Sequence, residues 1–171
     1  MYLNLIVALI GCDDAATTEA PQPAPEATPA PEPVVEEAPA EAAHHWNLNS
    51  DGVVLHGFDA VSYRGEAPEK GSSDHALEWD GATWHFSSAE NLATFQASPE
   101  AYAPALGGFC TFGVVIEKKL DGDPNVYWMN DETLYLFLNE EVRGKFAQDE
   151  SGNLNKISEN WPALRNADPQ G

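Results

Sequence analysis

Between Tyr2 and Trp46 the chain carries no aromatic residue, and this gap decides where a folded body can lie. Residues 13–43 hold seven of the 13 prolines, eight acids and no base. A run so poor in large apolar side chains cannot bury enough surface to offset the entropy of ordering it. It reads as a disordered, proline-extended tether, able to hold a domain on the order of 90 Å from its start. All five tryptophans lie at or beyond Trp46, so the core must be built there. The expected division is a signal-like segment over 1–12, a Pro/Ala/Glu-rich tether over 13–45, a globular domain over 46–165, and a short tail over 166–171.

The N-terminal run Met-Tyr-Leu-Asn-Leu-Ile-Val-Ala-Leu-Ile-Gly-Cys is too short to span a bilayer as a helix. It suits the apolar part of a secretory signal. Leu9-Ile10-Gly11-Cys12 resembles the bacterial lipobox, in which the cysteine is lipidated and becomes the mature N-terminus, although no Lys or Arg precedes the apolar run. The resemblance implies a lipid on Cys12, a membrane partner and a place on the periplasmic face of a bacterial envelope. The formal net charge is −20, from 28 acids and 8 bases. That disfavours nucleic acid, and any electrostatic hold on anionic lipid.

Beyond the tether, Val53-Val54-Leu55 reads as a short strand and Gly57 as a bend. His75 to Phe86 reads as a hairpin about Asp80-Gly81, the two-residue signature of a type I′ turn. That register sets Trp79 opposite Ala82 and Leu77 opposite Trp84. It puts Leu77, Trp79, Ala82, Trp84 and Phe86 on the core face and turns His85 away. Ser87 with Glu90 reads as a capping box opening a helix. Ser98-Pro99 ends it and starts a short second one. A third is expected just after Gly108. A second hairpin is expected from Val126–Met129 and Thr133–Leu138, then a helix capped by Asn139. A last helix carries Leu154, Ile157 and Trp161 on one face, with Pro162 as its end. No repeat of solenoid length is visible. The fold class is α+β: a small antiparallel sheet built from hairpins, with short helices, behind a disordered tail.

These motifs resemble a family. Gly57-Phe58-Asp59-Ala60-Val61-Ser62-Tyr63 is similar to the Gly-Tyr-Asp-x-Val-x-Tyr opening of bacterial exported YHS-domain proteins. Trp79 to Asn91 resembles their hairpin-and-helix core, Phe95 to Tyr102 their Phe-x-x-x-Pro-x-x-Tyr ending, and Gly107-Gly108-Phe109-Cys110 their Gly-Gly-Tyr-Cys. Leu134-Tyr135-Leu136 and Trp161-Pro162 complete the match, which runs from Val53 to Leu164. Related YHS domains handle metals through a Cys-x-x-x-Cys pair. Here those places hold Ser87 and Asn91, poor ligands for copper(I) or zinc.

Cys110 is the chemical focus, with His56, His85, Asp59, Gly107 and Gly108 as supporting residues. As a free cysteine it suits a buried core position. Just past two glycines, at a helix start, it would instead face unpaired N–H groups that favour the thiolate, the form that attacks disulfides and binds metals. No second body cysteine exists to resolve it, so redox work would need an outside thiol partner. No Ser-His-Asp order, phosphate loop or dinucleotide fingerprint is visible. Three functions stay open. One is a binding module for a metal (copper or zinc) or small ligand centred on Cys110. The others are a thiol redox protein and an interaction domain without chemistry.

Overall fold

The structure, a computed structural model, describes residues 45–170. Cys12, the signal-like segment and the tether up to His44 lie outside the described residues. The body is α+β, with two separate two-stranded antiparallel sheets and five helices. Strands β1 (Ser72–Trp79) and β2 (Ala82–Phe86) form the first hairpin, followed by α1 (Ala89–Ala97), α2 (Pro99–Tyr102) and α3 (Thr111–Val115). Strands β3 (Asp123–Asn130) and β4 (Thr133–Phe137) form the second, followed by α4 (Glu140–Phe146) and α5 (Glu150–Leu164).

The first hairpin has the expected register, Trp79 opposite Ala82 and Leu77 opposite Trp84. Its turn residues Asp80 and Gly81 take φ of 50° and 74°, the left-handed pair that a type I′ turn requires. The second hairpin turns on two residues as well, Asp131 and Glu132, with φ of 45° and 66°. Each hairpin carries one bulge, between Ser72 and Ala76 in the first and between Asp123 and Tyr127 in the second.

Two apolar cores result. The first gathers Trp84, Phe86, Phe95, Val54, Leu55 and Tyr63, with Leu134 and Leu136 reaching in from β4. The second gathers Phe137, Phe146, Val114 and Leu106, with Ile157, Leu154 and Trp161 reaching in from α5. The second hairpin is therefore apolar on both faces. Tyr127, Met129, Leu134 and Leu136 serve the first core, while Trp128, Tyr135 and Phe137 serve the second.

Several local expectations change. Ser88, not Ser87, caps α1, its side chain accepting the Asn91 N–H at 3.1 Å, because Ser87 is engaged elsewhere. Val53 and Val54 make single bridges rather than a strand, and Leu55–Gly57 is a 3₁₀ turn. Pro162 lies inside α5, which runs on to Leu164. The residues after α5 are held to the body: Lys119 Nζ donates to the carbonyls of Arg165 (3.2 Å) and Ala167 (2.6 Å), and the Gln170 N–H donates to the Lys119 carbonyl at 3.0 Å.

Candidate functional site

Cys110 is fully buried. It occupies the cap position of the five-residue helix α3, but its side chain makes no capping bond there. Its sulfur instead accepts the backbone N–H of Leu138 at 3.3 Å, while its own N–H donates to the Leu120 carbonyl at 2.8 Å. Gly107 and Gly108 shape the approach, with φ of 63° and 81°. A Cβ on Gly107 would stand 1.6 Å from the His45 carbonyl oxygen, so only glycine fits where the N-terminal segment crosses. The thiol is thus a packed hydrogen-bond acceptor, the environment in which a cysteine is inert.

Asp59, a weak candidate in the sequence, is the more connected group. It is fully buried. Oδ1 accepts the Val61 N–H at 2.8 Å. Oδ2 accepts three donors: the Ser87 N–H at 2.9 Å, the Ser87 hydroxyl at 2.8 Å and the Asn91 side-chain amide at 2.7 Å. Ser87 and Asn91 lie together, the Asn91 amide donating to the Ser87 hydroxyl at 3.2 Å. They converge on a carboxylate, and their donors are spent on it. Copper or zinc does not fit there, since both carboxylate oxygens already accept hydrogen bonds and the remaining groups, a hydroxyl and an amide, are poor ligands for either metal. Among the described residues, no three His, Cys, Asp or Glu side chains group closely enough to hold a metal ion.

The histidines lie apart. His56 Nε2 pairs with Asp121 Oδ1 at 2.8 Å, and the Asn47 amide donates to the same oxygen at 2.7 Å. His85 is on the outer face of the first hairpin, its backbone and Cβ pressed against Gly71, where a Cβ would come within 2.4 Å of the His85 carbonyl carbon.

Sequence reasoning missed one cavity. A cleft of about 640 Å³ lies where the first hairpin turn meets the end of α5, a volume suited to a small organic ligand. Trp79 and Trp161 stand in its wall, with Glu100 and Arg165 as charged groups. His45 pairs with Asp80 at 2.7 Å on the rim, and the Trp46 indole donates to the Asp80 carbonyl at 3.0 Å. The signal available beforehand was the spread of tryptophans, three of which the fold gathers here. No family model, curated protein or solved structure matches the chain.

Proposed function

We propose that the chain is a lipid-anchored, extracytoplasmic binding protein of the exported YHS-domain type, and that it binds a small ligand in the tryptophan-walled cleft. The observation that carries the reading is the cleft itself, with tryptophans, the carboxylates of Asp80 and Glu100 and the Arg165 guanidinium lining about 640 Å³. Indoles accept planar or apolar ligand surface, and the charged groups fix orientation. Cys110 and Asp59 are frame residues in this reading, since both are buried and satisfied. The lipobox-like Leu9-Ile10-Gly11-Cys12 and the acidic, proline-rich run behind it support the anchor. The thiol-redox alternative would require the buried Cys110 to become accessible to an outside partner.

Native mass spectrometry of the protein extracted from its own membranes tests both parts. The expected spectrum shows an acylated N-terminus at Cys12 and a retained small molecule that is lost in the Trp161→Ala protein. An unacylated chain found in the soluble extract overturns the anchor. Wild-type protein that carries nothing, and whose tryptophan fluorescence no metabolite extract perturbs, overturns the cleft.

A further inference from the structure

We propose that the body is two copies of one 51-residue unit, and that Cys110 holds in the second copy the acceptor seat that Asp59 holds in the first. Residue n of the first copy matches residue n + 51 of the second. Strands β1 and β3 begin at Ser72 and Asp123, β2 and β4 at Ala82 and Thr133, α1 and α4 at Ala89 and Glu140, and α2 and α5 at Pro99 and Glu150. Both bulges obey the same offset, Ser72/Ala76 and Asp123/Tyr127. So do three consecutive left-handed residues: Leu55, His56 and Gly57 (φ 53°, 52°, 79°) against Leu106, Gly107 and Gly108 (φ 56°, 63°, 81°). Left-handed backbone at leucine is uncommon, and a run of three in two places at one spacing does not arise from generic α+β packing.

The hydrogen bonds repeat as well. The Phe58 N–H donates to the Leu55 carbonyl at 2.9 Å, and the Phe109 N–H to the Leu106 carbonyl at 3.1 Å. The Asp59 N–H donates to the Glu69 carbonyl at 2.9 Å, and the Cys110 N–H to the Leu120 carbonyl at 2.8 Å. Finally, Ser87 N–H to Asp59 Oδ2 (2.9 Å) corresponds to Leu138 N–H to Cys110 Sγ (3.3 Å). In each copy, one side chain after the glycine turn receives the N–H at the corner between the hairpin and its helix.

The two seats differ in a coupled way. In the first copy the acceptor is a carboxylate, and Ser87 and Asn91 supply the extra donors a buried charge needs. In the second, those positions are Leu138 and Val142, which offer no side-chain donor, and the acceptor is a thiol content with one N–H. Cys110 is therefore a positioning residue for the β4–α4 corner, and its chemistry follows from its neighbours.

Exchange of the seats in the full chain tests this, read by thermal unfolding. Cys110→Asp alone leaves a buried carboxylate with a single donor and should lower Tm on the order of 10 °C. Adding Leu138→Ser and Val142→Asn should recover at least half of that loss. In the other direction, Asp59→Cys strands the Ser87 and Asn91 donors, and adding Ser87→Leu with Asn91→Val should recover stability likewise. Recovery in either direction is the expected result and supports the equivalence. If neither triple variant unfolds later than its single-substitution parent, the seats are not equivalent and the proposal is overturned.

Discussion

Tyr63 joins the two halves through one atom. Its hydroxyl donates to the Pro124 carbonyl at 2.9 Å, its ring meets Tyr127 edge-on at 5.1 Å, and only 4% of the residue is exposed. Burial first, then the nearby Tyr127, Asp123 and Asp59, push its ionisation well above the ordinary 10.0. The folded chain therefore keeps this proton at a pH where the unfolded chain releases it. The stabilisation is complete below pH 10 and is lost as the pH climbs from there towards the folded-state value. Tyr63→Phe should cost about 1 kcal/mol at pH 7, the net worth of the lost hydrogen bond. It should also make stability fall less steeply above pH 10. Tyr135, likewise raised by burial and by Asp131, keeps part of the slope. Urea unfolding at pH 7 and at pH 10.5 reads both effects. An unchanged alkaline slope would mean that Tyr63 ionises freely in the folded chain.

At the scale of elements, the second hairpin lies between two cores while the first covers only one. On β2 the outward positions are Thr83 and His85, and on β4 the matching ones are Leu134 (3% exposed) and Leu136 (0%). The first core is closed by that apolar outer face, and the second core is closed by α5 through Leu154, Ile157 and Trp161. Giving β4 the residues of β2, Leu134→Thr with Leu136→His, should cost about 4 kcal/mol or more, since it both removes packed volume and buries polar groups. Equilibrium denaturation would show a shifted midpoint. A loss under 1 kcal/mol would mean the first core is sealed without β4. The sequence displayed much of this architecture. Alternation over Leu77–Phe86 and the Asp80-Gly81 turn placed the first hairpin, and Asn139 marked a helix start. The duplication stayed hidden because only nine of 48 aligned pairs from Leu55–Tyr102 and Leu106–Asn153 are identical. The doubly buried second hairpin also lacks the polar alternation of the first. Asp59 entered the sequence reading only as a supporting residue, and of its bonds only the one to Val61 is local. Its decisive partners, Ser87 and Asn91, lie 28 and 32 residues away, a separation that no local pattern encodes.

Across the whole molecule, both ends of the body are fastened to its middle. At the N-terminal end the Asn47 N–H donates to the Gly107 carbonyl at 2.7 Å, and its side chain reaches the Gly108 carbonyl at 3.2 Å. At the other end the segment after Leu164 supplies carbonyls to Lys119, a residue only 1% exposed whose ammonium lies 4.5 Å from the centre of the Phe109 ring. Desolvation pulls the Lys119 pKa below 10.5, and Asp168 partly restores it. Between the folded-state value and 10.5 the unfolded chain holds this proton more firmly than the folded one, so burying the lysine costs most at low pH and is relieved as the pH rises. A chain ending at Leu164 takes away both carbonyls and Asp168 while leaving the ammonium buried. Breaking such a buried arrangement costs about 3 kcal/mol, which for a chain of this length lowers Tm by roughly 6–12 °C. The gap between the full and shortened chains should be widest near neutral pH and narrow as the pH approaches 10.5, because a neutral amine tolerates the apolar seat. Comparing the two at each pH cancels the alkaline loss from Tyr63, which is common to both. Adding Lys119→Met to the shortened chain should restore stability at pH 7 and remove the pH dependence of the gap. A gap that stays constant from pH 7 to pH 10.5, or persists in full with methionine in place, would show that the C-terminal segment stabilises the body by packing alone and not by holding the charge of Lys119.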